Sequence, residues 1–120
     1  MKKLYWLGSS RNDVRNFPQP VKQIVGYALY LAQEGEKHED AKPLRGFRGA
    51  GILEVVADHR GNAYRAVYTV TFRDTVYVLH AFQKKSKRGV EMPKQDMELI
   101  QSRLKLAREH YINLVDAGKG

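Results

Sequence analysis

Between residues 52 and 84 the chain runs through three segments rich in β-branched and aromatic residues: Ile52 to Asp58, Ala63 to Phe72 and Thr75 to Lys84. The breaks between them are short and carry Gly61-Asn62 and Arg73-Asp74. Breaks this short permit hairpins alone, because a parallel return needs roughly a dozen residues or more. The stretch therefore predicts an antiparallel three-stranded meander. Upstream, Lys3 to Leu7 is apolar and aromatic and meets Gly8-Ser9-Ser10, which predicts a further short strand and a helix start with serine caps. Pro18 and Pro20 then precede Val21, Ile24, Val25, Ala28, Leu29 and Ala32, one apolar stripe of a helix running to about Gln33, with Gly35 as its terminator. The polar segment from Gly35 to Gly51 reads as a surface loop delivering Arg45 and Arg48. Pro93 opens a last helix striped by Met97, Ile100, Leu104, Ala107, Tyr111 and Leu114 and ended by Gly118. The expected architecture is α+β: an antiparallel sheet, made of the N-terminal strand plus the meander, with helices packed on one face and a C-terminal helix.

The 120 residues, 42% of them hydrophobic, suffice for one core, so residues 1–120 read as a single domain. With no cysteine there is no disulfide framework, iron–sulfur cluster or cysteine zinc site, and a reducing, cytoplasmic setting is the expectation. The apolar stretch Leu4 to Leu7 is too short for a signal peptide, and nothing later approaches about 20 apolar residues, so no membrane insertion is expected. His38 and His110 lack partners at metal-ligand spacing. There is no HExxH, glycine-rich phosphate loop or GxSxG element, and no cofactor is expected.

The net charge of +8 points to a polyanionic partner. It is unevenly placed: residues 1–44 contribute +2, residues 45–90 contribute +6, and residues 91–120 contribute 0. Two-residue turns at Gly61-Asn62 and Arg73-Asp74 would put Leu53, Val55, Ala57, Tyr64, Ala66, Tyr68, Val70, Tyr77, Leu79 and Ala81 on one face, the core. The other face would be open and would hold Glu54, Val56, Asp58, Arg65, Val67, Thr69, Val78, His80, Phe82 and Lys84. In this register Arg65 faces Phe82, with Lys84 one pair further along. An Asp58–Arg65 cross-strand pair on an ordinary sheet face is the structural alternative to a ligand site.

Five stretches resemble a known family: Trp6 to Ser10, Tyr27-Ala28-Leu29 with Gly35, Ala41 to Gly46, Tyr64 to Tyr68, and Leu79 to Ser86. They are similar to the phage-derived Gp49-like branch of the RelE/HigB superfamily of type II toxin–antitoxin toxins. The resemblance spans nearly the whole chain, and Leu79 to Ser86 is its most specific part. It implies a small RelE-like fold and a metal-independent endoribonuclease, an mRNA interferase that cleaves messenger RNA, usually on the ribosome, and so inhibits translation. It also implies neutralisation by a HigA-like antitoxin with a helix-turn-helix domain. By position the family's basic strand residue falls on Arg65 and its basic pair on Lys84 and Lys85. Met92 stands where the family often has Thr before the proline, which removes a side-chain cap.

RNA cleavage without a metal requires a deprotonated 2′-hydroxyl, a stabilised phosphorane and a protonated 5′-oxygen. Arg65 suits the phosphorane because its planar, permanently charged fork matches that group. Pairing with Asp58 is compatible if Asp58 only orients it. Lys84 serves either as general base or as a second phosphate clamp. His80 reads as acid/base or as a packed structural histidine, and Phe82 as a base-stacking platform or as filler of the sheet face. Arg45, Arg48, Arg60, Lys85, Lys87 and Arg88 would form an RNA-binding rim, with a solvated charge run as the bland alternative for the last three. His59 at the hairpin tip reads as a turn residue or as a group exposed enough to reach a substrate. Two other functions share these features: a ParE-like toxin of the same fold acting on gyrase, and a non-catalytic basic module that binds RNA or the ribosome.

Overall fold

The computed structural model of the protein describes residues 1–47, 49–84 and 92–118. In chain order it contains β1 (Lys3–Trp6), α1 (Ser10–Arg15), α2 (Gln19–Gln33), β2 (Ala41–Pro43), β3 (Ile52–His59), β4 (Asn62–Thr69), β5 (Thr75–Lys84) and α3 (Lys94–Gly118). The strands form one five-stranded sheet in the order β1-β5-β4-β3-β2. β3, β4 and β5 are the expected meander. The sheet as a whole is mixed, because β1 runs parallel to β5, with Lys3 beside Thr75 and Trp6 beside Val78. The direction of a four-residue edge strand is set by which end of the sheet the chain enters, and local sequence does not encode that.

The predicted loop 35–51 contains a strand. Ala41 to Pro43 pairs with Val55 to Leu53 at the sheet edge, where Pro43 needs no N–H for a further neighbour. Gly35 does end α2: its N–H reaches the Ala32 carbonyl at 3.1 Å, and Glu36 N–H reaches Leu31 O at 2.7 Å. Ser9 occupies the N-cap of α1, but its hydroxyl bonds the Asp13 carboxylate at 2.8 Å rather than a backbone amide. Ser10 is buried and donates to Val78 O at 3.2 Å, which ties α1 to β5.

Helices cover both faces of the sheet, not one. Val14 of α1, Phe17 between the helices, and Val21, Val25, Ala28, Leu29 and Ala32 of α2 are buried against Leu53, Val55, Ala57, Tyr64, Ala66, Tyr68, Val76, Val78 and Ala81. α3 lies on the opposite face, where Ile100, Leu104 and Ala107 pack on Ile52, Val67, Tyr77 and Leu79. The face expected to be open is therefore a second core over part of its area. The cause is a bulge in β5: Val67 pairs with His80 but Tyr68 pairs with Val78, leaving Leu79 unopposed. One extra residue reverses side-chain alternation, so Tyr77 and Leu79 move to the α3 face and Val78 moves to the α2 face. Further along α3, Tyr111 still packs on Phe72, and beyond it Ile112, Leu114 and Val115 are exposed. No helix among the described residues is long and apolar enough to cross a membrane.

Within the first core, the Tyr68 hydroxyl is buried without a hydrogen-bond partner. Burial pushes its pKa up to about 12 from 10.0. The folded state thus holds this proton more tightly than the unfolded chain does. The associated stability is intact below pH 10 and is lost as pH rises toward 12, by an amount on the order of 2 kcal/mol. Tyr68→Phe should flatten that part of the stability–pH curve, and at neutral pH it should match or exceed the wild-type melting temperature. Thermal unfolding of both proteins from pH 7 to 11 checks both points.

Candidate active site

Arg65 occupies the centre of β4, between Val56 of β3 and Phe82 of β5. Its side chain is only 10% exposed, and Nη1 donates to Oε2 of Glu54 at 3.1 Å; Glu54 is itself 15% exposed. Nε is buried with no hydrogen-bond partner. The pair forms the floor of a cleft of about 450 Å³, bounded by the β2 segment Lys42 to Gly46 and by Met92 and Met97 at the start of α3. Lys42 and Arg45 stand exposed on its rim. A buried ion pair gains little net stability, because both charges are desolvated to make it. What it secures is orientation: one Nη1–H is held by the carboxylate, and the buried Nε–H is left without a partner.

The partner is Glu54, not Asp58. The hairpin turns on Arg60-Gly61, with φ of 49° and 80°, so His59 opposes Asn62 and Asp58 opposes Ala63. This pairing lies two residues from the expected one, which keeps every residue on its face but changes its neighbour. Asp58 is exposed and lines an adjoining cleft with Asp40, Lys42 and Glu54. Glu54 was legible as a member of the Arg65 face, and only the turn position disguised its role.

On β5 the alignment with β4 follows strand alternation: Phe82 faces Arg65, and Lys84 faces Ala63 one pair beyond. Phe82 is half-buried and stacks on His80, with ring centroids 4.8 Å apart and planes at 18°. Glu54, Arg65, His80, Phe82 and Lys84 share this face, but only Glu54 and Arg65 line the 450 Å³ cleft, while His80 and Phe82 border a second cleft beside Phe17 and Tyr64.

His80 is buried, and both ring nitrogens face side chains of α3. Nε2 lies 2.7 Å from Asp96 Oδ1, and Nδ1 lies 3.5 Å from Arg103 Nη1. Arg103 Nη1 donates to Leu79 O at 2.9 Å, at the bulge. Burial lowers the pKa of Arg103, and Asp13 opposes that shift. The arrangement is that of a histidine docking α3 to the sheet, and neither Asp96 nor Arg103 was singled out from the sequence. Asp96→Ala should leave the imidazole without its acceptor and cost about 1–2 kcal/mol, measured by denaturant unfolding.

Among the rim residues, Arg45 lines the cleft and Arg60 sits exposed at the hairpin tip, while His59 is half-buried beside it. Arg48, Lys85, Lys87 and Arg88 lie outside the described residues. Among the described residues no group of three or more His, Cys, Asp or Glu could hold a metal ion.

Residues 12–105, well over half of the chain, match the phage-derived Gp49-like protein family (DUF891). The chain belongs to the Gp49-like family. The match agrees with the Gp49-like branch of RelE-type toxins that the sequence resembles. It runs from α1 into the middle of α3, so it contains Glu54, Arg65, His80, Asp96 and Arg103 and stops short of the overhanging end of α3. A Gp49-like chain is a toxin–antitoxin-related protein, which implies an antitoxin partner in general terms. No curated protein matches the chain.

Proposed function

We propose that this protein is the toxin of a type II toxin–antitoxin pair and acts as a metal-independent endoribonuclease on messenger RNA, on the ribosome. The observation that carries the reading is the Arg65–Glu54 pair at the floor of a cation-rimmed cleft, with Arg65 Nε unused. Glu54 is placed to accept the proton of the attacking 2′-hydroxyl, and a carboxylate already bonded to a guanidinium is fixed for that task. As the 2′-oxygen bonds to phosphorus, charge builds on the non-bridging oxygens, which the Arg65 fork stabilises. Lys84 clamps the phosphate from the end of β5 and supplies a proton to the departing 5′-oxygen. Phe82 provides a ring for a splayed base, a contact worth about 1–3 kcal/mol in single-strand binding.

Lys42, Arg45 and Arg60 hold the flanking phosphates, as would Arg48, Lys85, Lys87 and Arg88. His80 acts by holding α3 and the Phe82 ring in position rather than by touching RNA. The neutralising partner is a HigA-like antitoxin with a helix-turn-helix domain. The test is pulse expression in a bacterial cell with amino-acid incorporation as readout. Wild type should stop translation and Arg65→Ala should relieve the block. A growth arrest that leaves incorporation running would overturn the reading.

A further inference from the structure

The sheet face opposite the cleft is covered by α2, and the outward side of that helix carries features that neither the fold nor RNA cleavage uses. Tyr27 and Tyr30 are 55% and 48% exposed. Their rings nevertheless stack on each other, with centroids 6.5 Å apart and planes at 18°. The far side of Tyr27 meets the His38 ring edge-on at 5.7 Å. His38 is buried, and its Nδ1 accepts the Asp40 N–H at 3.0 Å. The tyrosines are thus a braced aromatic surface, already ordered before anything binds. Tyrosine presents a large contact area with few rotamers to freeze, which suits it to interfaces.

Gly26 lies directly before Tyr27 and one turn before Tyr30. Glycine in a helix interior destabilises it relative to alanine. Here the backbone is not in the left-handed region, and an added Cβ would meet nothing within 4 Å. Neither conformation nor internal packing accounts for this glycine. What it does leave is room for another backbone to come close.

Charge identifies what approaches. Glu34, Glu36, Glu39 and Asp40 are exposed in the turn that follows α2, a balance of −3 within residues 34–40 once Lys37 is counted, with Lys2 and Arg73 bordering Glu34 and Lys42 bordering Asp40. Glu34 sits one turn beyond Tyr30, on the same side of the helix. Such a field repels phosphate and attracts cations, and tyrosine faces bind guanidinium and ammonium groups.

We propose that Gly26, Tyr27, Tyr30 and the acidic 34–40 turn form a docking surface for a basic, arginine-bearing segment of a partner protein. The segment's backbone passes over Gly26 and its guanidinium groups lie against the tyrosines and the carboxylates. Gly26 and the tyrosines lie on the far side of the sheet from Arg65, while the Asp40 end of the turn borders a cleft that Glu54 and Lys42 also line.

The test titrates isotope-labelled protein with a short peptide of alternating arginine and glycine, beside a glutamate–glycine peptide and an RNA oligonucleotide. The arginine peptide should shift the signals of residues 23–40, and the other two should not. The double variant Tyr27→Ala/Tyr30→Ala should weaken arginine-peptide binding about tenfold. Gly26→Ala should also weaken it while raising the melting temperature, a combination that a purely structural glycine would not give. Equal binding of the glutamate peptide, or unchanged affinity in the tyrosine or glycine variants, would overturn the proposal. So would self-association that depends on the tyrosines without peptide binding, which would assign the surface to a second copy. RNA cleavage enters none of these readouts, so the outcome is independent of the nuclease reading.

Discussion

Arg65→Ala should lower RNA cleavage by roughly a hundred- to a thousandfold, the usual loss when a preorganised donor to a developing oxyanion is removed. Arg65 is one of the few cations buried in the fold, and it is held by a single carboxylate that aligns it without consuming all of its donors. Loss of the side chain leaves Glu54 with an unpaired charge, which at full burial would cost about 3–5 kcal/mol. Glu54 borders the cleft and can be hydrated from it, so the loss of stability should be smaller than that. Two variants separate chemistry from folding. Arg65→Lys keeps the ion pair but not the bidentate fork, and should retain stability while losing most of the rate. Glu54→Gln keeps the shape but cannot accept a proton, and should slow cleavage by roughly a hundredfold or more. Cleavage rates and denaturant midpoints measured on the same preparations separate the two effects.

Gly51→Ala should destabilise the protein by about 3 kcal/mol, which lowers the melting temperature by about 10 °C. Gly51 precedes β3 with φ of +68°, a region where a Cβ is itself strained. The added methyl would stand 2.6 Å from Thr71 Cβ, 3.0 Å from its Cα and 3.1 Å from its backbone nitrogen. The neighbouring Val70 N–H bonds Gly51 O at 2.7 Å, so the two segments cannot simply part. Thr71→Gly in the same chain should recover only part of the loss, because two of the three close contacts are to backbone. Full recovery in thermal unfolding would contradict this account.

Much of this site could be read from the sequence because sheet parity is robust to some errors and not to others. The β3–β4 hairpin turns on Arg60-Gly61 rather than Gly61-Asn62, a slip of two in pairing that leaves Arg65 on its face but substitutes Glu54 for Asp58. A non-glycine residue at φ 49° is uncommon, so the sequence favoured the other turn. Between β4 and β5 two deviations cancel. The connection Val70 to Asp74 has an odd number of residues, which flips the near end, and the Leu79 bulge flips it back, so Arg65 still faces Phe82. Tyr77, Leu79 and Val78 lie between the two deviations and were assigned to the wrong faces.

The second core follows from that same stretch, since an apolar face carrying Ile52, Val67, Tyr77 and Leu79 requires a cover and α3 supplies it. Asp96 and Arg103 were invisible for a different reason. Their role depends on where α3 crosses the sheet, which is a tertiary fact. β1 and β2, with four and three residues, are too short for period or direction to be legible.

The most direct test is to map RNA ends bearing a 5′-hydroxyl after a short pulse of expression, with wild type, Arg65→Ala and Glu54→Gln side by side. Attack by a 2′-hydroxyl leaves that end chemistry and needs no added metal, so new 5′-hydroxyl ends inside messenger RNAs should appear with wild type and be absent with either variant. Intact messenger RNA with wild type, or the same cuts with both variants, would contradict the assignment of cleavage to the Arg65–Glu54 cleft.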